Sequence, residues 1–389
     1  MSIELAFALI NPYTLSKSRT GGVIGRFISR TGLDLVGARM FGPSAELVTA
    51  YAESIRARTD GDPKILGLLA DYILKSYAPN PATGAPKRIM MLLFCGENAV
   101  QKVMQVTGSL TSAWGGGDTI RDTYGDYITD DDGNVTYFEP AVLVAPTRER
   151  AEAILRLWAK YSAMDGGLLE SAEDVPHGEN VEKTLVLIKP DNFHFPSARP
   201  GNIIDVFSRS GLRIIGAKVH RMTVCEAEAF YGPVREVLRT KFTDAIAARA
   251  GAALQREFGF AIPEKLRSAV AAQLAPLYGD RQFAQLVKFM TGRSTADCSQ
   301  EDKDAPGKEK CLALVYEGVD AVAKIRNLLG QTDPTKAAFG SVRREYGHDV
   351  MENAAHGSDS AESAERELGI VHVEDDTISR LIEEYYGIE

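Results

Sequence analysis

The feature that most constrains this chain is that it contains itself twice. Gly32-Leu33-Asp34-Leu35-Val36-Gly37-Ala38-Arg39 returns as Gly211-Leu212-Arg213-Ile214-Ile215-Gly216-Ala217-Lys218. Gly96-Glu97-Asn98-Ala99-Val100-Gln101-Lys102-Val103 returns as Gly318-Val319-Asp320-Ala321-Val322-Ala323-Lys324-Ile325, and Leu9-Ile10-Asn11-Pro12 as Leu187-Ile188-Lys189-Pro190. The pieces keep their order, which predicts a tandem duplication of one folding unit. The first copy spans 1–160, a polar, breaker-rich linker 161–180, the second copy 181–374, and a helical tail 375–389. Each copy reads as a short apolar strand, an amphipathic helix, a Gly-Leu turn into a second strand, a helical stretch, an apolar strand, a helix, and a last strand and helix. That order, βαββαβ, predicts an α/β (α+β) chain of two ferredoxin-like domains. The second copy carries two insertions. One, 234–281, is rich in Ala, Arg and Leu and predicts two extra helices; the other, 293–310, is polar and predicts an exposed loop.

A chain of 389 residues with 44% hydrophobic and 25% charged residues has the composition of a globular protein. It has no 18-residue apolar run to span a membrane, and Met1-Ser2-Ile3-Glu4-Leu5 lacks the basic start of a signal peptide. The net charge of −9 argues against general nucleic-acid binding, so an anionic ligand needs a local basic cluster. The four cysteines have no zinc spacing and read as free cytosolic thiols, with Cys298 and Cys311 the one pair that oxidation could join.

Chemistry concentrates near the C-terminus, in Asn353-Ala354-Ala355-His356-Gly357-Ser358-Asp359-Ser360. Of the six histidines, His356 alone has a marked context. His177, His194, His220, His348 and His372 lie in the linker, a loop, a strand end or unmarked turns. Phosphate handling needs fixed positive charge. The second copy offers Lys189, Arg199, Lys218, Lys324, Arg326 and Arg343, each of which read singly could equally be a solvated side chain.

The second copy resembles nucleoside diphosphate kinases. The resemblance rests on Thr184-Leu185-Val186-Leu187-Ile188-Lys189-Pro190-Asp191, Leu286-Val287-Lys288-Phe289-Met290, Thr332-Asp333-Pro334, the His-Gly-Ser-Asp-Ser run and Ser363-Ala364-Glu365-Arg366-Glu367. It implies a ping-pong transfer of the γ-phosphoryl of a nucleoside triphosphate to a nucleoside diphosphate through a phosphohistidine at His356. It further implies that Lys189 and Tyr231 hold the γ-phosphoryl, that Arg326, Thr332 and Arg343 hold the phosphates, and that Asn353 binds the sugar hydroxyls. Leu286 would pack on the base. Glu367, with Ser358, would fix the imidazole. Mg²⁺ would arrive with the nucleotide, with no metal site of the protein's own. A cytoplasmic enzyme built as an intramolecular pseudo-dimer, alone or in a further homo-oligomer, with no nucleic-acid or membrane partner, is the corresponding expectation. Glu352 departs from the family's usual arginine, and 234–281 interrupts the base-binding hairpin. A catalytically weak nucleotide-binding regulator or scaffold is the alternative.

The first copy lacks the chemistry. Aligned on the repeat it has Asn11 for Lys189, Met104 for Arg326, Leu110 for Thr332, Leu143 for His356, Ala145 for Ser358 and Ile154 for Glu367. Arg121 opposite Arg343 and Tyr51 opposite Tyr231 are expected to survive. The acidic stretch around Asp130, Asp132 and Gly133 reads as a hairpin turn rather than a calcium loop.

Overall fold

A computed structural model describes residues 3–111, 117–296 and 298–387. The elements of the first copy are β1 (Ile3–Ile10), α1 (Pro12–Ser16), α2 (Thr20–Thr31), β2 (Asp34–Phe41), α3 (Ala45–Arg56), α4 (Pro63–Ser76), β3 (Ile89–Glu97), α5 (Ala99–Thr107), α6 (Ile120–Tyr124), β4 (Asp126–Thr129), β5 (Val135–Glu139), β6 (Val142–Leu143) and α7 (Arg148–Asp165). The second copy begins with β7 (Val181–Ile188), α8 (Arg199–Ser208) and β8 (Arg213–His220). It continues through α9 (Val224–Lys241), α10 (Thr243–Phe258), α11 (Glu264–Thr291) and α12 (Gln300–Asp304). It closes with β9 (Cys311–Val319), α13 (Ala321–Leu329), α14 (Val342–Tyr346), β10 (Ala355–Gly357) and α15 (Ala361–Val371), and α16 (Thr377–Tyr386) follows.

The two sheets have one topology. Their strand orders are β2-β3-β1-β6 and β8-β9-β7-β10, with the β2–β3, β1–β3, β1–β6, β7–β9 and β7–β10 pairs antiparallel, as in a ferredoxin-like sheet. The registers match: Ile10 faces Met90 where Ile188 faces Leu312. The backbone repeats as well. Asn98 and Asp320 start α5 and α13 from left-handed conformations (φ 52° and 54°), and Gly108 and Gly330 end them.

The chain divides into two compact units, 1–219 with 312–389, and 220–311. The division does not follow the repeat, because the sheets of both copies share the first unit. There α2 crosses α8 at glycines. A Cβ on Gly201 would stand 2.1 Å from Gly21 O and 2.6 Å from Gly25 N, so the helices touch backbone to backbone. The second unit is helical. The expected two extra helices are instead lengthened hairpin arms plus one more helix: α9 and α11 run straight through the insertion boundaries, and α10 joins them. They stay helical through Pro233 and Pro276. Gly279 lets α11 approach the backbone of Arg239, and Arg235 Nε pairs with Asp280 at 2.8 Å. The expected loop at 293–310 contains α12, started by a capping box between Ser299 and Asp302.

In the first copy the place of the lysine strand end is filled. Asn11 Nδ2 donates to Glu139 Oε1 (3.0 Å), Tyr77 OH to Asn11 Oδ1 (2.6 Å), and Tyr72 OH to both Glu139 oxygens (2.9 and 2.8 Å). Ala141 N also donates to Glu139 (2.9 Å). Burial pushes the Glu139 carboxyl above its usual range, while its three donors pull the other way. Trp158 closes the cluster edge-on against Phe41, Tyr51 and Tyr77. The acidic hairpin between β4 and β5 is closed by Asp130, which accepts from Asp132 N and Asn134 N.

Two stability predictions follow from these contacts. Gly201→Val should destabilise the fold by an overpacking cost of roughly 1–3 kcal/mol, read as a lower thermal midpoint. Glu139→Ala, which strands three buried donors, should cost about 2–4 kcal/mol in urea titration, and Glu139→Gln clearly less, because it keeps an acceptor for Tyr72.

Candidate functional site

The site is built at the edge of the second sheet. β10 is three residues long and pairs Ala355 with Ile188, His356 with Leu187 and Gly357 with Val186. The rung beyond it is Lys189 N–H to Ala354 O at 3.0 Å. Ala354 makes this turn at φ 70°, a conformation with a steric cost for any residue bearing a Cβ. Asn192, from the turn at Pro190–Asn192, staples the junction by donating to Lys189 O (3.0 Å) and Ala354 O (2.8 Å). Gly357 is needed for packing: a Cβ there would stand 3.0 Å from Ile325 on α13.

His356, Glu367 and Ser358 meet. His356 Nε2 lies 2.8 Å from Glu367 Oε2, and Ser358 Oγ donates to the same oxygen at 2.7 Å. Glu367 is 3% exposed and comes from α15, whose cap is the Ser360 hydroxyl on Ser363 N. A carboxylate accepts only, so this contact puts the imidazole proton on Nε2 and the lone pair on Nδ1.

The cations also meet, deeper in the fold. Lys189 Nζ donates to Asn353 Oδ1 (2.7 Å) and Met351 O (3.1 Å). Burial, then the charge of Arg343, lowers its pKa to about 8. Arg343 donates to Gly330 O (3.0 Å), Ala355 O (3.3 Å) and Thr332 Oγ1 (3.5 Å). Asn353 Nδ2 donates to Thr332 O and Val350 O, both at 3.1 Å, so both ends of its amide are held by protein. Thr332 and Arg326 are exposed. Arg326 projects from α13 close enough to help hold Asp359 below the usual carboxylate range, behind the larger effect of Ser363. Tyr231 and Leu286 belong to the helical unit, on α9 and α11; Tyr231 is buried against Phe230 and Leu286 is half-buried. Of the other candidate cations, Arg199 pairs with Asp191 (3.5 Å) and Lys218 caps α15 through Val371 O (2.8 Å).

Sequence reading passed over two residues. Asn192 is the junction staple. Asp349 accepts from Met351 N (2.7 Å) and Glu352 N (2.8 Å) and shapes the loop that presents Asn353. Its signal was an Asp two residues before a bend.

The first copy has the same scaffold without these groups. Leu143 faces Leu9 as His356 faces Leu187, and Asn11 N–H donates to Ala141 O (3.1 Å) with Ala141 at φ 60°. Arg121 donates to Gly108 O (2.7 Å) and Val142 O (3.1 Å), the counterparts of the Arg343 acceptors. The expected Tyr51–Tyr231 match is corrected. The N-caps Ser44 and Thr223, which accept from Leu47 N and Glu226 N, set the helix register and place Tyr51 opposite Phe230.

An imidazole whose Nε2 is held by a buried carboxylate, on the edge of a ferredoxin-like sheet with two buried cations, is suited to attack the electrophilic phosphorus of an anionic group. The sequence model of the family described as "Nucleoside diphosphate kinase" matches residues 182–249 and 274–377, all within the second copy and its immediate end. The nucleoside diphosphate kinase of Acidiphilium cryptum is 32% identical over 187 residues, 48% of this chain and 90% of that protein. That of Campylobacter hominis is 30% identical over 188 residues, 48% of this chain and 93% of that protein. That of Halorhodospira halophila is 29% identical over 200 residues, 51% of this chain and 99% of that protein. The chain belongs to the nucleoside diphosphate kinase family. The break in the match, 250–273, falls in the α10–α11 hairpin. No helix of the described residues is long and apolar enough to cross a membrane.

The tautomer is directly measurable. Long-range ¹⁵N–¹H NMR should show the His356 proton on Nε2, and Glu367→Ala should release it to a mixture of tautomers.

Proposed function

We propose that this chain is a nucleoside diphosphate kinase with one working site, in the second copy, and that it acts through a phosphohistidine at His356. The observation that carries the proposal is the His356 Nε2–Glu367 contact of 2.8 Å, which aims the Nδ1 lone pair. In the first half-reaction Nδ1 forms a bond to the γ-phosphorus of a nucleoside triphosphate. The bond from that phosphorus to the β,γ-bridging oxygen breaks, and the diphosphate leaves with the electron pair. Phosphorylation makes the imidazole cationic, and the buried Glu367 carboxylate compensates it without changing place. The second half-reaction is the reverse, with another diphosphate as acceptor.

Lys189 and Arg343 supply positive charge to the transferring group, Arg326 and Thr332 serve the remaining phosphates, and Asn353 serves the sugar; the family resemblance alone assigns nucleotide contacts to Tyr231 and Leu286. Mg²⁺ would come as part of the substrate and neutralise charge on its phosphates. Among the described residues the one cluster of three metal-capable groups is the exposed His372, Glu374 and Asp375, outside this set. We read the chain as a tandem duplication in which the first copy, with Leu143 for the imidazole, stands where a second subunit would, in a cytoplasmic protein.

With Mg²⁺ and γ-labelled ATP, the chain should take up at most one acid-labile phosphoryl group and pass it to added GDP. His356→Gln should take up none, and label that cannot be discharged would overturn the kinase reading. Lys189→Met should slow labelling by about 10²–10³-fold. Because Lys189 loses its proton near pH 8, the second-order labelling rate should fall as pH rises through about 8, and Lys189→Arg should move that fall to higher pH.

A further inference from the structure

The linker and the tail occupy equivalent places on opposite copies. After α7 the chain first lies on its own copy, with Gly167 N donating to Met40 O at 3.0 Å. It then crosses to the second copy, where Leu169 N donates to Ile215 O at 2.9 Å and Leu168 lies on Gly216, so closely that a Cβ there would stand 2.5 Å from it. After α15 the chain does the converse. Ile378 lies on Gly37 of β2, where a Cβ would stand 2.8 Å from it. Gly37 and Gly216 are counterparts in the repeat, as are Arg39 and Lys218. Lys218 Nζ caps α15 through Val371 O (2.8 Å) and His372 O (2.7 Å). Arg39 caps α7 through Ser162 O (3.1 Å), and its other nitrogen reaches Glu374 O (3.0 Å) and Asp375 O (2.5 Å). One buried side chain of the first copy therefore grips the segment that directly follows the helix carrying Glu367.

Beyond that grip α16 lies along the first copy. Ile378 and Ile382 are buried, Ser379 Oγ donates to Ala159 O (3.3 Å), Arg156 donates to Tyr386 O (2.8 Å) and Gly387 O (3.1 Å), and Tyr386 OH donates to Leu5 O (3.0 Å). An isolated helix of 10 residues is marginal in water, so α16 owes its helicity to this groove. We propose that the first copy is a receptor for the tail Glu374–Gly387, and that this docking fixes the C-terminal end of α15 and with it the carboxylate that orients His356. The groove belongs to β1, β2 and α7, and the mode is an amphipathic helix in a groove. Arg39 and the tail are positioning elements, not catalytic ones. The second half of the proposal rests on His356 being the nucleophile; the first half does not.

The test uses the full chain carrying Ile378→Asp with Ile382→Asp, which expels the tail. Trypsin cleavage after Arg380 should accelerate at least tenfold over the parent. A labelled synthetic peptide of residues 374–387 should bind the variant saturably and the parent not at all. Single-turnover phosphorylation of His356 should slow by about tenfold with little change in the nucleotide concentration at half-saturation, a positioning effect, and the added peptide should restore it. Arg39→Lys, a milder change, should give an intermediate cleavage rate and cover the case in which the double variant fails to fold. Equal cleavage in parent and both variants, or no peptide binding to a folded variant, overturns the receptor. Docking with an unchanged phosphorylation rate overturns the positioning role. A parent that takes up no phosphoryl group sinks the kinase reading and the positioning role, and leaves cleavage and peptide binding to decide the receptor.

Discussion

The pairing of a three-residue edge strand with β7 is the interaction on which the site depends. It is short, and its geometry is fixed from outside the ladder: by the left-handed turn at Ala354, by the Lys189–Ala354 rung and by Asn192. A left-handed residue with a Cβ two positions before the site's histidine invites a catalytic explanation. The first copy argues against one. Ala141 keeps the same conformation and the same rung beside Leu143, where no such chemistry is possible. The turn is a requirement of closing the fourth strand onto the sheet, and the site makes use of it.

The two copies also differ in what stands at the place of the buried lysine. The second copy keeps Lys189 and Arg343 buried, with burial working against the charge of the lysine. In the first copy Asn11 stands at the lysine position, and Glu139, one residue before the Pro140–Ala141 turn, folds inward to meet it and Tyr72. Its repeat counterpart Glu352 is exposed. A buried acceptor set takes over from a buried donor set, with Asn11, Tyr72, Tyr77 and Glu139 hydrogen-bonded among themselves.

Much of this was legible in the residues. The repeat gave both sheets, because strands such as Leu185–Ile188 and Ile89–Phe94 are apolar runs whose pairing the duplication makes unambiguous. The grouping of His356, Ser358 and Glu367 was also readable, since all three sit within one strand, one cap and one helix face. What was not legible depends on long-range packing. Glu139 reads as a solvated hairpin residue until Tyr72 and Asn11 are brought to it. Tyr51 was paired with Tyr231 by residue type, and only the helix caps show that the register differs by one position. The insertion reads as separate added helices because Gly232-Pro233 and Pro276 with Gly279 stand at its ends, whereas α9 and α11 continue through both prolines. The docking of the tail could not be read at all, because Gly37 and Arg39 are adjacent to it only in space.

The crossing of α2 and α8 has a consequence for how this chain can vary. In an assembly of identical subunits every substitution at a twofold contact occurs twice, and a charge meets its own copy. Here the two sides are separate stretches of one polypeptide. The counterpart positions Arg26 and Asp205 already carry opposite charge: Arg26 donates to Thr119 O (3.0 Å), and Asp205 accepts from the backbone of Gly22. The contact is also independent of protein concentration, since dilution cannot separate partners joined by their own backbone. Carried on one polypeptide, the two halves of this contact answer to different constraints.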